Sequence, residues 1–291
     1  MIDSDLKFSV RDILSAAHPL IDMALKEDLG DRGDITTNAI SAENLPAAAQ
    51  IIAKMDGVIA GLPVVTETFK TLDPKIKCEQ IYQDGQSVQK GDVLLRLEGP
   101  TAQILMGERT ALNFLGKLSG IATLTHQFVR AVRETKCQIL DTRKTTPGWR
   151  ILEKYAVFCG GGKNHRIGLY DMFLIKENHI VSAGGITAAV QVCREYMKRN
   201  NFAAEIEVET KNPDEVREAL GLNVDRIMLD NMSLEIMREC VSLVDGRIPL
   251  EASGNVSLQN VRQIAETGVD FISIGALTHS AKSFDISLLF L

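Results

Sequence analysis

Between Asp141 and His179 the chain carries seven lysines and arginines against four acids, in a protein whose formal net charge is −6. Such a cationic island is either a solvated face or an anion site, and the positions decide between them. Arg143 and Lys144 follow the strand-like Ile139-Leu140 and precede a Thr-Thr-Pro-Gly turn. Lys176 ends the run Met172-Phe173-Leu174-Ile175. Charges at the strand ends of an α/β protein stand where ligands bind. With His165 and Arg166 they make five candidate cations for a polyanionic substrate. An arginine holds carboxylate or phosphate bidentately, at roughly 1.5–3 kcal/mol per charge-assisted bond.

Carboxylates stand opposite. Glu205, Glu207 and Glu209 alternate with Ile206 and Val208, so on a strand all three point to one face. A parallel sheet is covered on both faces, which turns at least one of them inward, where a buried acid needs Arg143, Lys144 or Lys176 as partner. Asp230 ends the next strand, so Glu207 and Asp230 are the expected ligands of a hard divalent cation that binds mainly through ligand phosphates. Ser253-Gly254-Asn255 precedes a helix signal, and Gly275-Ala276 follows the last strand. Glycines there let backbone N–H groups approach an anion, and late strand loops of barrels commonly bind phosphate. Gly160 to Asn164 has neither the spacing nor the Ser/Thr of a P-loop.

The elements that position these residues are legible in outline. Six apolar runs end in polar residues: Gln138–Thr142, Met172–Lys176, Glu205–Thr210, Arg226–Asp230, Pro249–Ser253 and Phe271–Gly275. Helical segments separate them, Asn212-Pro213-Asp214-Glu215 is a helix start, and Ser233 and Ser257 are expected caps. This alternation means a parallel sheet with crossover helices, read as an incomplete (β/α) barrel with its site at the C-terminal strand ends. Upstream, Ser9 with Asp12 marks a capping box, and Pro19 is expected to split the first helix in two. Short strands and turns fill Ala47 to Gly99, with the rhythm of a small β-half-barrel over Asp84–Leu94. Pro100 is expected to open a helix, and a second helix to start near Ile121. Arg109, at the border of an apolar stripe, reads as a stem covering apolar surface.

Composition removes several function classes. No apolar run has transmembrane length, and MIDSDLKFSV has neither the basic region nor the apolar core of a signal peptide. Five cysteines, widely spaced and without a C-x-x-C pair, read as reduced thiols in a cytoplasmic protein. The acidic balance argues against nucleic acid as partner.

Taken in order, Thr142-Arg143-Lys144-Thr145-Thr146-Pro147-Gly148, Gly161-Gly162-Lys163-Asn164-His165-Arg166, Lys176-Glu177-Asn178-His179, Glu207-Val208-Glu209, Leu229-Asp230-Asn231, Ser253-Gly254-Asn255 and Gly275-Ala276-Leu277-Thr278-His279 resemble the quinolinate phosphoribosyltransferases, pentosyltransferases of NAD biosynthesis. The likeness covers nearly the whole chain, EDLGDRGDITT and Glu108-Arg109-Thr110 included. It implies an N-terminal α/β sandwich over residues 1–120 and an open (β/α) barrel of about six to seven parallel strands over 121–291, the last residues packing back on the first domain. It implies a homodimer, Mg2+, and two substrates, quinolinate and 5-phosphoribosyl 1-pyrophosphate. Arg143, His165, Arg166 and Lys176 would hold the quinolinate carboxylates, with Thr142 beside them. Lys144 would serve both substrates and, with Glu207 and Asp230, make the catalytic set. Glu207 and Asp230 would hold Mg2+ and ribose hydroxyls, and Ser253, Gly254, Asn255, Gly275 and Ala276 the 5-phosphate. Arg109 would enter the partner subunit's site, displacing the reading of it as a covering stem.

Three readings compete. A paralogue of the family would take another acceptor. A barrel aldolase would use Lys176 as Schiff-base nucleophile, a role that requires a desolvated lysine. A carrier module would carry its group on Lys54, although the methionine flanks of a carrier lysine are incomplete.

Overall fold

A computed structural model describes residues 8–40 and 45–291, so the part of the signal-peptide expectation that falls on the first seven residues lies outside the described residues. The first elements are α1 (Val10–Leu29), α2 (Ile35–Ile40), β1 (Pro46–Ala53), β2 (Gly57–Val58), α3 (Leu62–Leu72), β3 (Lys77–Gln80), β4 (Ser87–Val88), β5 (Val93–Pro100) and α4 (Thr101–Val132). There follow β6 (Gln138–Leu140), α5 (Arg150–Cys159), β7 (Met172–Ile175), α6 (Glu177–Ala183), α7 (Ile186–Asn200), β8 (Glu205–Thr210) and α8 (Pro213–Gly221). The chain ends with β9 (Arg226–Asp230), α9 (Leu234–Val244), β10 (Leu250–Ser253), α10 (Val261–Ala265), β11 (Phe271–Ser273), α11 (Ala276–His279) and β12 (Ile286–Phe290).

Two compact units divide these elements: the described part of 1–126 with 144–161 and 276–291, and 127–143 with 162–275. The first holds an antiparallel sheet in the order β12-β1-β5-β3. Its core joins Ile51 and Leu97 of the sheet to Phe69 of α3, Leu115 of α4 and Leu288 of β12.

Three local expectations change in this unit, each because packing outweighs a local signal. Ser9 and Asp12 form the expected capping box, but α1 runs unbroken through Pro19. A mid-helix proline costs about 3 kcal/mol. Ile13, Ala17, Leu20, Ile21 and Leu25 are buried on both sides of it, and each large side chain returns about 1.5–3 kcal/mol. Pro100 closes β5, and α4 continues through Gly116 and Gly120 instead of starting again at Ile121. Those glycines are where the chain after α11 lies against the helix: a Cβ on Gly120 would sit 2.0 Å from the Lys282 carbonyl oxygen, and Phe284 N–H donates to Gly116 O at 2.8 Å. The half-barrel does not form. β4 pairs only with β2, while β5 belongs to the large sheet.

The second unit is a six-stranded, all-parallel sheet in the order β6-β11-β10-β9-β8-β7. β8 and β9 keep the bounds read from the sequence. The sheet is open between its edge strands β6 and β7 among the described residues. Lys163 fills part of that seam as a one-residue bridge beside Leu140, its N–H donating to Ile139 O and its carbonyl accepting from Asp141 N–H. Asn212 and Ser233 cap α8 and α9 as expected. Ser257 does not cap a helix. Its hydroxyl and N–H turn to Asn260 Oδ1, and α10 begins after Asn260.

Candidate active site

Register decides which side chains share the inner face. Leu174, Glu207 and Arg226 stand side by side, then Glu209, Met228, Glu251 and Phe271, then Asp230, Ser253 and Ser273. Barrel interiors are ordinarily filled by branched apolar residues. Here the middle of the sheet holds charges instead.

That deep layer is a buried cluster of opposite charges, in which both Glu207 carboxylate oxygens and Glu251 Oε1 lack a hydrogen bond. Glu207 and Glu251 are completely buried, and His165 is almost so. His165 Nε2 lies 3.0 Å from Glu207 Oε2 and 3.4 Å from Glu251 Oε2. Arg226 Nη1 donates to Glu251 Oε2 at 3.0 Å, and its guanidinium lies 4.4 Å from the Phe271 ring centre. Burial pushes the Glu251 carboxyl up, but His165 and Arg226 outweigh it and hold the pKa at about 2. Burial, with Glu251 nearby, raises Glu207 to about 7 against the pull of His165. Burial lowers His165, yet Glu251 and Glu207 carry it up to about 9. Geometry opposes a doubly protonated ring: Nδ1 already accepts the Arg166 N–H at 2.8 Å. The Arg166 N–H on Nδ1 favours the tautomer whose proton sits on Nε2, toward Glu207 and Glu251.

The ligand atoms of His165, Glu207 and Glu251 lie within 4.8 Å of one another, a spacing that suits a metal ion. Arg226 already supplies the positive charge there.

The rim is different. Asp141, fully buried, accepts Asn164 Nδ2 at 2.5 Å and the His165 N–H at 2.9 Å, which ties the end of β6 to the segment carrying His165 and Arg166. Arg166 Nη1 donates to Met172 O at 3.1 Å. Burial and the approach of Arg143 lower the Arg166 pKa. Arg143 Nε is buried with no acceptor. Asp171 and Glu207 act on Arg166 in the opposite sense, and Arg143 Nε is the buried donor left unmatched at this rim. Buried donors are rarely left so, and the arrangement fits an anion brought by a ligand.

The structure brings Thr142, Arg143, His165, Arg166, Lys176, Glu207, Asp230, Ser253, Gly254, Asn255 and Gly275 into the second unit. Arg109, Lys144 and Ala276 belong to the first, Arg109 and Lys144 being exposed there. Two expectations stand against a geometry that the sequence did not show. His165 was expected to present charge to a substrate, but both ring nitrogens face protein groups. Glu207 and Asp230 were expected to share a cation. Glu207 is level with Arg226, four residues before Asp230. That is roughly 13 Å along the strands, too far for one ion to take both. Asp230 is half-buried at the strand end, its Oδ2 accepting from Asn231 Nδ2 at 3.0 Å. Lys176 is exposed at the end of β7, unlike a desolvated Schiff-base lysine.

After β10, Gly254 has φ +104°, and a Cβ there would lie 2.1 Å from Asn231 Oδ1. That oxygen accepts Asn255 Nδ2 at 3.1 Å. Only glycine leaves room for this lock. Sequence reading missed Arg226 and Glu251. The available signal was their place at inward positions of strands where apolar residues are the rule.

Family models match both parts of the chain: "Quinolinate phosphoribosyl transferase, N-terminal domain" over residues 34–119 and the C-terminal domain of the same name over 121–289. A chloroplastic nicotinate-nucleotide pyrophosphorylase [carboxylating] of Oryza sativa subsp. japonica is 44% identical over 293 residues, covering 94% of this chain and 78% of that protein. A probable nicotinate-nucleotide pyrophosphorylase of Bacillus subtilis is 43% identical, covering 90% and 89%. The solved nicotinate-nucleotide pyrophosphorylase from Francisella tularensis is 40% identical, with a TM-score of 0.93 over 100% of both chains.

Proposed function

The chain belongs to the quinolinate phosphoribosyltransferase family, and from that premise we propose that it transfers the phosphoribosyl group of 5-phosphoribosyl 1-pyrophosphate to quinolinate. CO2 is lost, and nicotinate mononucleotide and pyrophosphate are formed for NAD biosynthesis. The supporting observation is the convergence of Arg143 and Arg166 with a buried, unmatched N–H. A pair of carboxylates on one flat ring matches two guanidinium forks better than any single anion does.

In this reading Arg143, Arg166 and Lys176 hold the acceptor's carboxylates, with Thr142 beside them. Lys144 reaches both substrates. His165 contributes indirectly, by fixing Glu207 in the deep layer. Ser253, Gly254, Asn255, Gly275 and Ala276 receive the 5-phosphate. Asp230 faces ribose hydroxyls and would hold Mg2+, which when bound neutralises charge on the departing pyrophosphate.

The ring nitrogen's lone pair forms the bond to the anomeric carbon as the carbon–oxygen bond to pyrophosphate breaks, its electron pair leaving with pyrophosphate. Lys144 stabilises the negative charge that develops. The alkylated nitrogen is then positive, so the adjacent carboxylate departs as CO2 and leaves its electron pair on the neighbouring carbon. Water or Lys144 returns the proton.

The test is quinolinate labelled in its 2-carboxylate, incubated with 5-phosphoribosyl 1-pyrophosphate and Mg2+. Equal release of labelled CO2 and nicotinate mononucleotide is expected, and no release would overturn the reading. Nicotinate lacks one carboxylate and should be rejected strongly, because its binding would leave a half-buried arginine unpaired. Comparable turnover of the two would point to another acceptor.

The working form in this proposal is a cytoplasmic homodimer with Arg109 reaching the partner's site. No helix among the described residues is long and apolar enough to cross a membrane. Co-expression of Arg109→Ala with Arg143→Ala should restore roughly one quarter of wild-type activity, since about half the dimers are mixed and each has one intact site. No recovery, with subunit exchange confirmed, would confine Arg109 to its own chain.

A further inference from the structure

The turn that carries Lys144 belongs to no helix or strand, so side chains must hold it. They do so at three successive residues. Thr278 Oγ1 donates to Lys144 O at 2.8 Å, and Arg150 Nε donates to Thr145 Oγ1 at 3.1 Å. Glu153 accepts from Thr146 twice, from the hydroxyl at 2.8 Å and from the N–H at 3.1 Å. Glu153 is completely buried on α5, and its charge is met by Lys117 Nζ of α4 at 3.3 Å. Lys117 Nζ also donates to Thr278 O at 3.2 Å. The contacts close a ring: Lys144 to Thr278, Thr278 to Lys117, Lys117 to Glu153, Glu153 to Thr146, and back along two peptide bonds to Lys144.

Packing alone does not explain this ring. A buried ion pair gives little stability over an apolar pair of similar volume, and removing either partner is costly. What the ring specifies is position: the backbone of an exposed lysine is fixed from the side away from solvent. Misplacing a reacting group by about 1 Å can cost on the order of a hundredfold in rate. We infer that Glu153, Lys117 and Thr278 are positioning residues, which act by fixing the turn that presents Lys144. This rests on the role given to Lys144 above.

Thr278→Val keeps the shape of the side chain and removes the donor to Lys144 O. Turnover should fall about tenfold, with KM for quinolinate changed less than twofold, since the acceptor's arginines are untouched. Glu153→Gln, which keeps the size but cannot accept two bonds and a cation, should cost more, up to roughly a hundredfold. Amide hydrogen exchange over residues 143–149 should quicken in both variants while helix α4 keeps its protection. Unchanged exchange would overturn the ring as the element that orders this turn.

A double-mutant cycle separates positioning from general damage. In a Lys144→Ala background, Thr278→Val should produce no further loss of turnover. The same tenfold loss in both backgrounds, or none in the wild-type background, would overturn the inference. Full turnover in Lys144→Ala alone would instead overturn the role assigned to Lys144, and the exchange measurement would still decide whether the ring orders the turn.

Discussion

The deep layer and the rim of the parallel sheet are both charged, and they solve opposite problems. In the deep layer Glu207, Glu251, His165 and Arg226 neutralise one another and are closed off from water. At the rim Arg143 and Arg166 approach each other, and Arg143 Nε has no acceptor. Charges that offset one another inside the protein hold geometry, even though both Glu207 oxygens and Glu251 Oε1 form no hydrogen bond. A buried donor left without an acceptor, as Arg143 Nε is, suits an anion that comes with a ligand. The difference predicts that rim substitutions remove activity while sparing the fold, and that deep substitutions do the reverse.

The largest effect is expected at the rim. Arg143→Ala or Arg166→Ala forfeits two charge-assisted bonds at roughly 1.5–3 kcal/mol each, or about 10²- to 10⁴-fold in kcat/KM for quinolinate. The melting temperature should hold or rise, since one of two mutually repelling charges has gone. Initial rates and a thermal melt on the same preparation check both halves. A large loss of stability would show that these arginines are structural and would break the comparison.

Glu251→Ala comes next. Breaking a buried pair costs about 3–5 kcal/mol, here by leaving Arg226 and His165 facing a void. The Arg226→Met, Glu251→Met pair should recover much of that loss in a denaturant titration, because an apolar layer is the ordinary content of a barrel. Recovery of stability without recovery of turnover would break the division, since the deep layer would then be needed for activity as well as for the fold.

Acid and alkali probe the same layer in opposite directions. The folded pKa of Glu251, about 2, lies below its ordinary 4.5. Its stabilisation is full above about 4.5 and fades as pH falls through about 2. Glu207, raised to about 7, contributes in the other sense: fully below about 4.5, and progressively less as pH rises through about 7. Melts across this range should show an acid loss that disappears in Glu251→Gln and a loss between about pH 5 and 7 that disappears in Glu207→Gln. A decline that continues from about pH 6.5 to 9 would place a second proton on the His165 ring, in spite of the Arg166 N–H on Nδ1.

Much of the rim was legible because it is local. A cation directly after an apolar run announces a strand end, and β8 and β9 were bounded correctly by alternation and by the residues that end them. The deep layer was not, because it depends on register. Nothing near Arg226 or Glu251 says that Glu207 and His165 stand opposite, and a one-residue slip would have turned them to the other face. Distance in the chain hid the rest. Gly120 reads as a helix break until Lys282 is laid against it, and Glu153 reads as an ordinary first-turn acid until Lys117 and Thr146 meet it. The Glu207–Asp230 pairing was read from residue types alone, whereas register sets Glu207 level with Arg226, four residues before Asp230 on β9.

The smallest effect tests whether charge near the rim matters in itself or only unmatched charge does. Lys211 follows β8 and pairs with Glu177 at the start of α6, both side chains about half exposed. Glu177 raises the Lys211 pKa, although the partner already lies in solvent. Exposed ion pairs contribute about 0.2–1 kcal/mol. Lys211→Met should therefore leave the melting temperature nearly unchanged, and any shift should shrink as salt is added. Because this lysine has its counter-charge within the chain, quinolinate turnover should stay within twofold of wild type. A tenfold rise in KM for either substrate would mean that the pair opens to receive it, and the line between matched and unmatched cations would have to be redrawn to include Lys211.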